Sequence, residues 1–230
     1  MIGLLPAVVE NHTFLPGYFR ERPVVLDFGL NQGNFAMTVI SRYGARVLGA
    51  EPSSELFAAL PRNPMLSAQN VAIGGSDGPA LLGLYRERCA SLCAGANDAS
   101  NGAETVMVWS LRTFLERTGV ETVDLLKVDI EGAECDLLES ALSDDLLRCG
   151  QITVEFHDFM IAALGPRVEA AKLRVASAGF HRINFSLNNG DVLFVRRDLM
   201  PAAGALFLKG PVKYAMGAAR RTGRLLGIRR

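Results

Sequence analysis

Apolar residues in this chain gather into short runs, set apart by glycine, proline, asparagine and aspartate. The first clear run is Val24–Phe28, with Pro23 ahead of it and a glycine-bearing turn behind it. A run bounded that way predicts a strand. From Asn34 to Arg42 the spacing changes, and Phe35, Val39 and Ile40 fall on one stripe, which predicts a helix. Arg46–Ala50 reads as a second strand, closed by Glu51-Pro52. Ser53 or Ser54 then caps a helix carrying Leu56, Phe57 and Leu60, which Pro61 ends. Asn70–Ile73 reads as a third strand, ended by the turn GGSDG at 74–78. Ala80–Tyr85 and Thr105–Trp109 read as strands around a polar segment, 94–104, whose composition is that of a mobile loop.

Further along, Leu111–Arg117 predicts a short helix, 123–129 a strand, Ala133–Ala141 a helix and Gln151–Phe156 another core strand. A long helix is expected over 166–178, with Gly179 as its C-cap. Arg182–Leu187 and Val192–Arg196 are joined by Asn188-Asn189-Gly190, and an Asn-Gly pair between apolar runs is a hairpin signal. Alternating strands and helices predict an α/β fold with a doubly wound, mostly parallel sheet. The last hairpin is expected to add one antiparallel strand.

The stretch at 123–134, VDLLKVDIEGAE, stands apart. It is apolar as a strand buried on both faces should be, yet it contains Lys127 and ends in Asp129 and Glu131. Charges cost free energy in such places, and ligands of α/β sheets bind at the carboxyl ends of strands. The segment therefore predicts where a site lies as well as a fold.

Charge adds a second division. The 230 residues carry no net charge, but all 24 acidic residues lie at or before Asp198. Against them stand 17 basic residues, a net of −7, while the last 32 residues carry seven basic residues and a net of +7. The expected organisation is one domain over 1–198 and a basic tail over 199–230. A body this acidic excludes nucleic-acid binding through counterion displacement. Pro211 opens VKYAMGAARRTGRLLGIRR, in which Val212, Met216, Ala219, Gly223 and Leu226 share a stripe beside Lys213, Arg220 and Arg224. Such a tail can lie on an anionic membrane, bind a partner, or pack on its own acidic body. Cys89, Cys93, Cys135 and Cys149 form no CxxC pair and have no histidine at zinc spacing, so reduced thiols are expected. The N-terminus lacks a basic region of the signal-peptide kind, and no apolar run reaches the roughly 18 residues of a membrane span. The expected location is the cytoplasm, with the tail as the one membrane candidate.

The turn after the first strand, DFGLNQG at 27–33, carries ligand chemistry. Gly29 permits a tight turn and close backbone approach, and Gly33 lets the helix start near the strand. Free N–H groups at that helix start favour an anionic group such as a carboxylate. Glu51, 18 residues beyond Gly33, stands where a carboxylate accepts both hydroxyls of a ribose. Asn31 and Asn34 replace glycines of the dinucleotide fingerprint, which disfavours a pyrophosphate and so a nicotinamide or flavin dinucleotide. A ribose, an adenine and a carboxylate without phosphate fit better.

Taken in order, DFGLNQG, AEPSSELFAAL, NVAIGGSDG, SL at 91–92, DLLKVDIEGAE and VEFH resemble the FkbM-type methyltransferases over about residues 23–196. VDLLKVDIEGAE is the most specific piece. The resemblance implies a seven-stranded class I methyltransferase (Rossmann-like) fold and S-adenosylmethionine as donor. It further implies O-methylation of a small molecule, sugar or glycan. The candidate donor-site residues are Asp27, Gly29, Leu30, Asn31, Gly33, Glu51, Pro52, Asp77 and Asp129. Leu30 and Phe28 depart from the family, which more often has a small residue and an aliphatic one there, and a bulky Leu30 would narrow the donor's approach.

Catalytic roles are expected of His157, Asp129 and Glu131. An imidazole titrating near 6.5 makes His157 the general-base candidate. Asp129 is expected to hold the donor's amino group or orient the acceptor, and Glu131 either to act there or to satisfy N–H groups at a helix start. Lys127 is expected to pair with Asp27 or Glu155 inside the fold. Asp77 is read either as an acceptor from the adenine amino group or as a plain turn aspartate. Asp129, Glu131, Glu155 and His157 form an oxygen-and-nitrogen set of the kind that holds magnesium, but no metal is expected. His12 and His181 stand without company of interest. The competing reading is an inactive Rossmann-like scaffold acting through its tail.

Overall fold

The computed structural model describes residues 4–84, 90–92, 103–157, 164–186 and 189–215. In chain order the strands and helices are β1 Ala7–Val9, β2 His12–Phe14, β3 Val24–Phe28, α1 Asn34–Tyr43, β4 Arg46–Ala50, α2 Ser54–Ala59, β5 Leu66–Gln69 and β6 Ala72–Ile73. They continue with β7 Gly78–Leu84, β8 Ala90–Leu92, β9 Ala103–Trp109, α3 Leu111–Thr118, β10 Val123–Val128, α4 Glu134–Ser140, α5 Ser143–Leu147 and β11 Cys149–Val154. The last are α6 Gly165–Ser177, β12 Phe180–Asn184, β13 Val192–Arg196 and α7 Ala202–Phe207.

Seven strands form the central sheet in the order β12-β13-β11-β10-β3-β4-β5. The contacts among β11, β10, β3, β4 and β5 are parallel, and β13 alone runs against its neighbours. This is the α/β, mostly parallel sheet with one antiparallel strand that the residue pattern predicts. Every position of β10 and β11 is buried, because helices or the N-terminal hairpin cover both faces. On one face Leu26, Phe28, Leu126, Val128, Ile152 and Val154 pack with Phe114, Leu137, Leu138 and Val175. On the other, Val25, Val47 and Leu125 meet Phe35, Ala36 and Val39 of α1 and Phe14 of β2.

Three local expectations are corrected. The third strand of the sheet is β5, Leu66–Gln69, not Asn70–Ile73. Residues 72–73 instead pair with β9 in a separate four-stranded sheet of order β6-β9-β7-β8, which also takes in the two strands expected near 80–85 and 105–109. The final hairpin is longer than an Asn-Gly turn: Asn184 pairs with Val192, and Asn189 takes the left-handed conformation at φ 58. Helix α6 ends on Ala178, with Gly179 at φ 117 just beyond. Most of the segment expected as a mobile loop, 94–104, lies outside the described residues, as do Cys89, Cys93 and residues 216–230 of the tail.

The sequence pattern did not foretell the seating of the N-terminus. Asp191 accepts from the Thr13 N–H at 3.0 Å and its hydroxyl at 2.6 Å. The Gln151 amide accepts from Leu15 N–H and donates to its carbonyl, at 2.8 and 3.0 Å. These buried bonds set β2 over β11 and β13 and carry His12 toward the carboxyl end of β10. At the other end of the chain, α7 and the π-helical turn Leu208–Val212 pack Ala205, Leu208 and Val212 against Leu15, Ile183 and Met200.

Candidate functional site

The site begins where β3 ends. Gly29 has φ 86, and a β-carbon there would overlap the Asp129 carbonyl oxygen, so the residue must be glycine. The N–H groups of Gly29 and Leu30 both donate to the Ala50 carbonyl, at 3.1 and 3.0 Å. Leu30 then turns into the core, 3% exposed. Its bulk fits because residue 49 is glycine: a β-carbon at Gly49 would sit 2.6 Å from Leu30 Cγ. The expected narrowing of the donor's approach therefore does not occur, since the Leu30 side chain points away from the cleft.

Asn31 follows in the left-handed region at φ 49, and its N–H donates to Glu51 Oε2 at 2.8 Å. Glu51 Oε1 accepts from Ser53 N–H at 3.0 Å. Burial raises the Glu51 pKa, against the pull of those two N–H groups. Gly33, φ 79, is the N-cap of α1, and no side chain caps that helix. A β-carbon at Gly33 would meet Pro61 at 3.0 Å.

Gly29, Asn31, Glu51, Pro52, Asp129 and Glu131 line a cleft, with Leu56, Val71, Ile73 and Leu82 as its apolar wall. An apolar wall with a few convergent polar groups is the usual form of a small-molecule site. Asp27, Leu30 and Gly33 are not in that lining; they build it from beneath. Asp27 is fully buried, with Oδ1 3.1 Å from Lys127 Nζ. Lys127 also donates to the Gly29 carbonyl at 2.6 Å and stands 3.6 Å from Asp129 Oδ2. Lys127 thus pairs with Asp27, one of the two partners expected. Burial opposes the lysine's charge, but the Asp27 and Asp129 carboxylates outweigh it and raise its pKa. Asp27 is pushed up by burial, with Lys127 pulling the other way. Asp129 is held well below the usual carboxylate range: burial works against this, and Lys127, His12 and His157 prevail.

His157 sits beside the cleft, 8% exposed. Its Nδ1 is 2.9 Å from Glu134 Oε1, and its Nε2 is 3.3 Å from Glu131 Oε2 and 3.7 Å from Asp129 Oδ1. The structure therefore brings His157, Asp129 and Glu131 together. Burial disfavours the charged ring, but Glu134, Glu131 and Asp129 win and raise its pKa to about 9. This departs from an imidazole titrating near 6.5.

Two residues that pattern reading passed over belong to this cluster. Glu134 Oε1 also accepts from Ile130 N–H at 3.2 Å and Gly132 N–H at 3.0 Å. The helix-start task considered for Glu131 thus falls to Glu134, and Glu131 lies at φ 52 facing the cleft. The Glu three residues past Glu131 in the DIEGAE stretch was the available signal. His12, fully buried, has Nε2 3.6 Å from Asp129 Oδ2 and Nδ1 3.4 Å from Thr153 Oγ1. Nothing local marks it, because hydrogen bonds from more than a hundred residues away seat the hairpin. His181 stays apart from the site and meets the Met200 carbonyl at 3.0 Å.

Asp77 is not brought to the cleft. Its carboxylate accepts from Ser110 N–H and Thr113 Oγ1, each at 2.7 Å, and so braces the start of α3, whose cap is the Ser110 hydroxyl. Those bonds lower its pKa. The reason is the strand correction above: the turn at 74–78 leads into the second sheet, and the backbone of 71–73 takes the place beside the cleft. The oxygen-and-nitrogen set expected near the strand ends falls into two groups that share Asp129. One is His12, Asp129 and Glu155, the other Asp129, Glu131 and His157, each with ligand-type atoms within 4.8 Å. Lys127, 3.6 Å from Asp129 Oδ2, opposes a divalent cation on that oxygen.

The cleft's polar lining is Asn31 and the carboxyl groups of Glu51, Asp129 and Glu131. The model of the FkbM methyltransferase domain matches residues 27–182. No curated protein matches the chain. Among solved structures, a chain of a fibrillarin/Nop5p complex is similar at 10% identity, with 77% of this chain and 73% of that one covered and a TM-score of 0.45. A TehB-like methyltransferase from Corynebacterium glutamicum is similar at 14% identity, covering 76% and 80%, with a TM-score of 0.41. Aeropyrum pernix fibrillarin with natively bound S-adenosyl-L-methionine is similar at 11% identity, covering 79% and 68%, with a TM-score of 0.44.

Proposed function

The chain belongs to the FkbM methyltransferase family, and on that premise we propose that it methylates a hydroxyl on a small molecule, sugar or glycan. The family's methyl donor is S-adenosylmethionine, which supplies an electrophilic methyl group on a positively charged sulfur. In this reading Glu51 meets the ribose hydroxyls, the wall of Val71, Ile73 and Leu82 takes the adenine, and Asp129 holds the amino group.

The observation that carries the oxygen assignment is His157, held beside the cleft at 3.3 Å from Glu131 and 3.7 Å from Asp129. A hydroxyl gives up its proton as its oxygen gains the methyl group, so a hydroxyl acceptor needs a base at that place. His157 Nε2 takes that proton in this reading, while Glu134 holds Nδ1 and fixes the ring. A ring titrating near 9 is neutral in about one molecule in a hundred at pH 7. The neutral form is a correspondingly stronger base, and transfer should speed up as pH rises toward 9. Glu131 orients the acceptor hydroxyl against the ring.

The test is a panel of hydroxyl and amine acceptors with radiolabelled donor, beside calorimetric titration with S-adenosylhomocysteine. Methylated hydroxyls, together with a His157→Ala variant that is slow yet binds the product normally, would support the reading. Transfer to amines alone would overturn it. Binding with no turnover on any acceptor would favour the inactive scaffold.

A further inference from the structure

We propose that the surface beginning at α7 seats this protein on an anionic lipid bilayer. Helix α7 turns Gly204 and Ala205 inward, and Leu208 follows them into a pocket of Leu15, Ile183, Phe185 and Met200. What stays outside is apolar and aromatic: Leu206 is 68% exposed, Phe207 46% and Tyr214 75%. The outer face of a helix docked on a soluble domain is ordinarily polar. At the other end of the chain Leu4 packs on α7, its Cδ2 3.2 Å from where a Gly204 β-carbon would stand. The next residue, Leu5, is 74% exposed.

Charge identifies what covers this patch. Lys209 is exposed within it, Lys213 is partly so, and the sequence runs on into Arg220, Arg221, Arg224, Arg229 and Arg230. No acidic residue follows Asp198, and the preceding body carries −7. An anionic surface therefore attracts this end of the molecule and repels the rest. Aliphatic and aromatic side chains flanked by lysine and arginine enter the headgroup boundary while their basic neighbours meet lipid phosphates. No helix among the described residues is long and apolar enough to cross a membrane, so the contact is with the surface. It does not depend on the nature of the methyl acceptor.

Flotation of the full chain with phosphatidylcholine vesicles, with and without phosphatidylglycerol, tests the inference. Binding should require phosphatidylglycerol and weaken at high salt. Leu206→Ser, Phe207→Ser and Tyr214→Ser combined should weaken it by about tenfold or more, as expected for losing partly buried apolar area. These side chains are exposed, so binding of S-adenosylhomocysteine should stay unchanged and confirm the fold. Arg220→Gln, Arg221→Gln and Arg224→Gln combined should weaken binding independently. No flotation on anionic vesicles at low salt would overturn the proposal, as would equal flotation of the serine variant or equal binding to neutral vesicles. A concentration-dependent dimer abolished by the serine substitutions, without vesicle binding, would assign the patch to a second copy of the chain instead.

Discussion

Exchanging Glu134 for glutamine removes the negative charge behind His157 while leaving an oxygen for the Ile130 and Gly132 N–H groups. In the native protein the imidazole is raised from 6.5 to about 9. A histidine whose folded pKa exceeds its unfolded one contributes its full stability below pH 6.5 and loses it as pH climbs through about 9. At roughly 1.4 kcal/mol for each tenfold change in proton affinity, that interval corresponds to about 3 kcal/mol. Glu134 is the nearest carboxylate, at 2.9 Å against 3.3 Å for Glu131 and 3.7 Å for Asp129. A hydrogen bond to a charged group is worth about 1.5–3 kcal/mol, so Glu134→Gln should bring the ring's titration down to roughly 7–8. Proton–carbon NMR of the imidazole follows this directly, with His157→Asn identifying the resonance. Urea unfolding across the same pH range supplies the linked free energy. Wild-type stability should fall between pH 6.5 and 9, and the variant's should fall less, the two converging at alkaline pH. A wild-type ring titrating near 6.5, or superimposable curves for the two proteins, would refute the reasoning.

Gly29→Ala should weaken S-adenosylhomocysteine binding by about tenfold or more, because the new methyl group displaces the Asp129 carbonyl and with it the cleft edge. Calorimetric titration reads this, and an unchanged Kd would contradict it. Lys127→Met strands the buried Asp27 carboxylate and should cost about 3–5 kcal/mol near neutral pH. The loss should shrink in acid, because burial already raises the Asp27 pKa; equal losses in urea unfolding at pH 5 and pH 8 would count against the pairing. Asp77→Ala removes the carboxylate that braces Ser110 and Thr113 at the start of α3, leaving the Ser110 cap in place, and should cost about 1 kcal/mol in thermal unfolding while leaving affinity for S-adenosylhomocysteine within about twofold. A large affinity loss would return Asp77 to the donor site.

The parts of this protein that can be read from the chain are those where burial leaves a periodic trace. β3, β4, β10 and β11 are apolar runs because both faces of the sheet are covered, and their ends carry Asp27, Glu51, Asp129 and the approach to His157. What escapes is set by long-range contact. Leu66–Gln69 is a half-exposed edge strand of weak apolar character, whereas the more apolar Val71–Ile73 joins a different sheet. His12 becomes part of the site only because Asp191 and Gln151 anchor β2 from far along the sequence. Glu134 resembles an ordinary first-turn carboxylate, and only the approach of His157 from the neighbouring strand's end adds a side-chain partner to the Ile130 and Gly132 N–H groups. The raised pKa of His157 likewise comes from that assembly of three carboxylates, which no residue type announces alone.

The Leu30–Gly49 contact has an evolutionary consequence. A side chain at 49 would meet Leu30 at 2.6 Å, and overfilling a packed interior costs about 1–3 kcal/mol. A β-carbon at 49 would also stand 2.8 Å from the Asp27 carbonyl oxygen, which belongs to the backbone and cannot swing aside. Shortening Leu30 alone therefore does not open position 49, and glycine should persist there whatever stands at 30, while leucine at 30 is tolerated only because it does.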